Sequence, residues 1–307
     1  MLLSAFLNVL LPVLLVAGCG FALARAVSLD LRSINRVSLY VLSPALIVAT
    51  LARMQVAGDE ALRIVAVSAL FVLAMGALTL LCAAPLRLDR TGLAALLLCT
   101  MFMNAGNFGL PTTRLAFGDA GFQRGVLFFI PQTILAQVLA IPIARADQGD
   151  LRGAFRQIFR MPQIYAAAAG VLLAISGVRL DGRADVFGAL FRGVALLADA
   201  TLPFLLLILG MQLAQGIAVD QRGLTALAAG LRLLVSPLLA LGLAWLLGLD
   251  GLPRRVVILQ ASMPTAVNMV LYSLEFGARP RFVAGTVVVT TALGVVTLAG
   301  LLTVLMG

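Results

Sequence analysis

Two short runs of this chain combine residue types that suit a binding site better than the middle of an apolar helix. They are Asn-Ala-Gly-Asn-Phe-Gly-Leu-Pro at 104–111 and Met-Pro-Thr-Ala-Val-Asn at 263–268. Proline inside a helix removes a backbone donor and crowds the preceding turn, and glycine loosens the backbone further. A helix opened at such a point presents two half-helix ends. The N-terminal ends carry partial positive charge and suit a carboxylate, whereas the carbonyl ends suit a cation. The amides of Asn104, Asn107 and Asn268 both donate and accept. The candidate substrate-binding set is therefore Asn104, Gly106, Asn107, Gly109, Pro111, Pro264, Thr265 and Asn268.

The elements that position these residues follow from composition. Of 307 residues, 62% are hydrophobic and only 11% charged, against about a quarter charged in soluble domains, and the mean hydropathy is +1.10. This is the composition of an all-α, multi-pass membrane protein. A spanning helix needs ~20 mostly apolar residues, and ten stretches qualify: 2–24, 35–52, 62–84, 92–118, 122–144, 162–177, 193–215, 224–248, 254–276 and 282–306. The first lacks a basic leader and is too long for the apolar core of a signal peptide, so it reads as a retained helix. Short connections carry most of the charge, and the longest polar one is 145–160.

Five helices, a linker and five helices make two oppositely oriented halves, 1–150 and 151–307, an inverted repeat of the kind found in secondary transporters. The two unusual runs fall in the fourth helix of each half. Each has a proline near mid-membrane and ends in a glycine-containing loop, at Gly118 and Gly277. Taken singly, such a break has a plain structural reading, since proline kinks and packing glycines are frequent in membrane helices. A matched pair favours a midplane site: if the two breaks cross, their four half-helix ends converge on one polar spot in an apolar bundle.

The charge is formally +9, and every basic residue is arginine. The arginines are scattered between apolar runs with no stripe for a nucleic acid, so they read as orienting charges. Arg25, Arg32, Arg36, Arg145, Arg152, Arg156 and Arg160 lie at connections on one side, which makes that side cytoplasmic and both termini external. Histidine and lysine are absent, so zinc sites, histidine-dependent catalysis and a phosphate-binding loop are not supported. No enzyme activity, cofactor or metal is expected, and Cys19, Cys82 and Cys99 read as small packing residues. Asp199, inside the seventh helix, is a candidate proton or bracing site, or else caps a helix beginning there. Asn8, near Pro12, suggests an interhelical hydrogen bond, and Pro44 a packing kink. Arg232 is expected to snorkel to an interface. Arg114 and Glu275 are expected near an interface, where either could gate access.

These runs, with Arg36–Leu51, Leu197–Ala214 and Leu231–Leu241, resemble the auxin efflux carrier family, the plant efflux carriers and their bacterial relatives. The Asn-x-Gly-Asn-x-Gly-Leu-Pro and Met-Pro-x-Ala-x-Asn patterns are the more specific parts. The resemblance implies ten helices in two inverted five-helix repeats and the fold shared with bile-acid/sodium symporters. It implies scaffold and transport domains, each built from both repeats, and elevator-like alternating access. It also implies small organic anions as substrates, with the asparagines and prolines above at the crossover. The chain lacks the long cytoplasmic loop of the plant carriers, and its sequence around Pro264 departs from theirs. The expected partners are an organic anion, a carboxylate first of all, and the lipid bilayer of the cell membrane, the inner membrane in a bacterium. A proton or sodium as coupling ion has no signature in the sequence, and a homodimer is an open alternative to a monomer. A non-transporting membrane sensor or assembly subunit of the same fold is the competing reading.

Overall fold

The computed structural model describes residues 2–145, 161–178, 180, 182, 184–215 and 220–307. The 146–160 connection, with its Arg152, Arg156 and Arg160, lies outside the described residues. Among the described residues the chain is helical, with one isolated β-bridge. The helices are α1 (Leu2–Ala26), α2 (Leu31–Ala52), α3 (Gly58–Leu86), α4 (Arg90–Met101), α5 (Leu110–Arg145), α6 (Pro162–Ser176), α7 (Val186–Leu213), α8 (Arg222–Leu246), α9 (Gly251–Ala261), α10 (Asn268–Phe276) and α11 (Pro280–Met306). Six of them, α1, α2, α3, α7, α8 and α11, are long and apolar enough to cross a membrane.

The expected fourth helix is two pieces. α4 stops at Met101, and a wide turn at Ala105–Gly109 restarts the helix into α5. α5 itself breaks at Gly118, whose φ of 63° only glycine adopts readily. The expected ninth helix is likewise split into α9 and α10.

Two packing groups are evident. α1, α2, α6 and α7 pack mainly on one another, while α3, α4, α5, α8 and α9 form the other group. The turn at 105–109 also touches α7, so the interrupted helix meets both groups. Large apolar side chains cover the outer surface: Ile175 is 78% exposed and Val304 77%, as a surface in contact with lipid requires.

Wide π-turns recur at one place relative to proline. Phe6–Leu10, Ser38–Leu42, Ala105–Gly109 and Leu231–Val235 each precede a proline by two residues: Pro12, Pro44, Pro111 and Pro237. A proline ring clashes with the carbonyl four residues back, and in each case that carbonyl lies in the widened turn. Neighbouring side chains take up carbonyls around these turns. Gln163 of α6 donates to the Leu39 carbonyl at 2.7 Å, and Thr201 of α7 to that of Leu42 at 3.1 Å. Pro44 thus marks both a kink and a packing contact. Asn8 corrects the expectation: its amide donates to Ser4 Oγ at 3.1 Å within α1, one turn away, and among the described residues it bonds no other helix.

At the polar ends, Asp89 caps α4 through the Gly92 N–H at 2.9 Å and binds the Arg279 guanidinium that precedes α11. The Gly92 N–H bond, then Thr91 and Arg279, hold its carboxyl below the usual carboxylate range.

Helices α1 and α7 approach so closely that a Cβ on Gly210 would collide with the Ala17 carbonyl, and one on Gly20 with the Leu207 carbonyl. Backbone on backbone leaves nothing to yield. Gly210→Ala should therefore cost about 1–3 kcal/mol, read as a lower melting temperature in detergent. Gly242→Ala, with open space around its Cβ, should be neutral or slightly stabilising.

Candidate functional site

The two breaks meet. The Asn104 N–H donates to the Pro264 carbonyl at 2.8 Å, and the Ala266 N–H donates to the Phe102 carbonyl at 2.9 Å. Met103 and Thr265 thereby form an antiparallel bridge, the isolated one in the fold. Each broken segment supplies one donor and one acceptor that its own helix gave up at the break.

Other freed groups are satisfied by side chains from surrounding helices. Gln132 of α5 donates to the Met103 carbonyl at 3.1 Å. Thr265 donates its hydroxyl to the Cys99 carbonyl at 2.8 Å, and its N–H bonds Thr290 Oγ1 of α11 at 3.2 Å. Gln260 of α9 donates to Thr113 Oγ1 at 3.1 Å, tying α9 to the restarted helix. At the start of that helix, the N–H groups of Phe108 and Gly109 both bond the Asn104 carbonyl, at 3.3 and 3.0 Å.

The glycines fit close contacts. A Cβ on Gly109 would collide with Gln260 Oε1, and one on Gly106 would sit 2.9 Å from the Phe129 ring. Gly106 and Gly109 are thus explained by packing of the crossover.

Asn104 is 5% exposed, and its Nδ2 has no hydrogen-bond partner among the described residues. A buried, unmatched donor at a break between two helices is a costly feature. Asn107, on the next turn, is half-buried, and Asn268 is exposed at the first turn of α10. Pro111 follows the widened turn, and Pro264 gives its carbonyl to the bridge. Thr265 is fully buried, with both its polar groups committed within the protein.

A cleft of about 460 Å³ reaches the crossover at Val267. Its walls come from the start of α2, the end of α7, α10 and the start of α11, and are mostly aliphatic. Its polar groups are Asn35, Gln212, Gln215 and Arg281. Gln212 Nε2 donates to Asn35 Oδ1 at 3.2 Å across the α2–α7 boundary.

Asp199 does not join this site. It lies thirteen residues into α7, exposed on the helix surface, so it caps nothing: Asp185 is the cap, accepting the Gly188 N–H at 2.9 Å. Arg114 pairs with Asp119 at 3.0 Å across the Gly118 break and lies over the Phe122 ring. Glu275 is exposed in the last turn of α10.

Arg232 overturns its expected place. It does not snorkel: it is fully buried, inside the widened turn of α8. One guanidinium nitrogen donates to the Thr100 carbonyl at 2.6 Å and another to the Ala261 carbonyl. Those carbonyls belong to the last turns of α4 and α9, the two half-helices that end at the crossover. The guanidinium also lies over the Phe71 ring, 5.4 Å from its centre. The sequence carried a signal for this. Arg232 is ten residues into its helix, about 15 Å at 1.5 Å per residue, which is half the ~30 Å hydrocarbon core.

Residues 151–302 match the sequence pattern of a family described as membrane transport protein. An uncharacterized transporter of Methanothermobacter thermautotrophicus is 26% identical over 88% of this chain and 87% of its own length. The second half of the chain thus carries the membrane transport protein pattern, and the chain as a whole is similar to membrane transporters. A second uncharacterized transporter, from Methanocaldococcus jannaschii, is 22% identical over 87% of each chain. The auxin efflux carrier component 1 of Arabidopsis thaliana is 24% identical over 44% of this chain and 22% of its own. In this transporter-like chain the crossover is the place where backbone is freed from its helices and one polar donor is left unmatched.

The hydroxyl of Thr265 tests how the crossover is held. Thr265→Val keeps the shape but strands the Cys99 carbonyl in an apolar interior. It should cost about 1–3 kcal/mol, measured as a loss of melting temperature relative to Thr303→Val, a half-buried threonine near the end of α11 whose hydroxyl bonds the Ala299 carbonyl in its own helix.

Proposed function

We propose that the chain is a secondary carrier of a small organic anion, with the substrate carboxylate bound at the crossover. The observation that carries this reading is the unmatched, buried Nδ2 of Asn104 beside the restarted helix at Ala105–Gly109. The first N–H groups of a helix have no intrahelical partner and carry partial positive charge. An amide donor added to them makes a place for a carboxylate. Asn107 and Asn268 supply further donors on the two sides of the crossing.

The helix order supports ten spans, the fourth being α4 with the first part of α5 and the ninth being α9 with α10. On this reading the halves are inverted repeats, 1–150 and 151–307. The group of α1, α2, α6 and α7 serves as scaffold, and the remaining helices move against it in an elevator-like exchange. The arginines at 25–36 and in the 145–160 connection favour a cytoplasmic location for that end, with both termini outside the cell membrane. The cleft at Val267 opens at the same end, beside Leu31 and Arg281, and so serves as the inward access route.

Binding is tested by thermal shift of the purified protein against mono- and dicarboxylates. A carboxylate that binds the folded state raises its melting temperature by mass action. Asn104→Ala should leave the unliganded protein as stable as wild type, because its Nδ2 makes no bond to lose. The same change should weaken carboxylate binding about 10- to 100-fold, the worth of ~1.5–3 kcal/mol for a charge-assisted hydrogen bond. Asn107→Ala should behave alike. Undiminished binding in both variants would place the substrate elsewhere, and saturable counter-exchange in vesicles would separate a carrier from a sensor of the same fold.

A further inference from the structure

The carbonyl end of a helix carries partial negative charge, and here two such ends, of α4 and α9, converge within an apolar body. Their orphan carbonyls would suit a cation. The structure already places one there: Arg232 donates to Thr100 and Ala261, one carbonyl from each end. Ser236 adds its hydroxyl to the Ala261 carbonyl at 3.0 Å, and the Thr79 and Thr100 hydroxyls pair at 2.7 Å beside it. Among the described residues no carboxylate pairs with Arg232. Its charge faces two helix ends and the ring of Phe71, both electron-rich.

An arginine held in this way is unusual in a membrane interior, where an ionised side chain is expensive and normally functional. The local sequence explains how it gets there. The widened turn at Leu231–Val235 lies just before Pro237, and Arg232 is carried in that turn, buried against the crossover.

We propose that Arg232 is a tethered cation that joins the two half-helix carbonyl ends and occupies the place a free cation would otherwise take. The crossover then needs no exchangeable sodium ion to be assembled, and the positive charge that balances the carbonyl ends stays with the protein when substrate leaves. Arg232 acts as a positioning residue: it holds α4 and α9 so that the N-terminal ends across the two breaks, at Ala105 and Asn268, face the substrate. This rests on the crossover reading above for its functional meaning. The test reads cation dependence without any carboxylate, so the two can fail separately.

The experiment compares melting of wild type, Arg232→Lys and Arg232→Met in sodium chloride and in choline chloride at equal ionic strength, with and without 50 mM-scale ethylguanidinium. Wild type should melt at the same temperature in both salts. Arg232→Met, which keeps bulk and removes charge, should melt about 5–10 °C lower and recover in part with ethylguanidinium or sodium but not with choline. Arg232→Lys should retain most of the stability. A sodium-selective rise in wild type would overturn the proposal by revealing a free cation site at the crossover. Arg232→Met as stable as Arg232→Lys and indifferent to cations would overturn it by reducing Arg232 to packing. Should Arg232→Met fail to fold, folding of Arg232→Lys still supports a requirement for charge, and failure of both even with ethylguanidinium present counts against it.

Discussion

Backbone hydrogen bonding in a medium without water governs this structure. In hydrocarbon each unsatisfied N–H or C=O costs several kcal/mol, so a helix interrupted within the membrane needs a partner for every group it frees. The crossover meets that demand by reciprocity. The break after α4 and the break after α9 exchange two hydrogen bonds, between Asn104 and Pro264 and between Ala266 and Phe102. Neither break is tenable without the other, which makes the pair a single element contributed by two distant parts of the chain. The hydroxyls and amides of Thr265, Thr290, Gln132 and Gln260 complete the accounting. This is why the helices around the crossover are polar on the faces they turn inward, although the chain as a whole is so apolar.

The same constraint shapes the uninterrupted helices. A proline can stay in a membrane helix if the turn before it widens, and four of them do so here. Pro131, Pro142 and Pro203 sit inside helices without such a turn, so proline alone does not dictate the bulge. What the bulge adds is a change of helical phase. In α8 that change goes with burial of Arg232, and in α2 it frees carbonyls for Gln163 and Thr201 on two other helices. A local steric rule thereby sets contacts between helices far apart in sequence.

Much of this was legible in the chain itself. The apolar runs gave the helices, because spanning length leaves little freedom, and the proline, glycine and asparagine of 104–111 and 263–268 marked the breaks. The contact between the breaks was foreseeable from their matched positions, but its bridge at Met103 and Thr265 was not, since any residue offers a backbone N–H and C=O. Arg232 was misplaced because its depth was counted from the start of an apolar run instead of from the helix start two residues earlier, at Arg222, and because single arginines near helix ends usually reach the interface. Asn8 failed for a different reason: a side chain one helical turn from Ser4 finds a partner without leaving its own helix. Gly20 and Gly210 carried no visible signal, because a close approach needs both helices to be known.

The charge balance at the crossover follows from how the two half-helices are arranged. Each interrupted helix presents a carbonyl end and an N-terminal end to the same small volume. Were both kinds of end left open, the site would attract a cation and an anion together, and neither would be favoured by net charge. With the guanidinium of Arg232 committed to the carbonyl ends of α4 and α9, the negative poles are compensated from within the fold. The positive poles at Ala105 and Asn268, and the unmatched amide of Asn104, are left as the uncompensated part. On the proposed reading, selectivity for an anion requires no charged side chain in contact with the substrate: it follows from which helix ends the protein closes and which it leaves open.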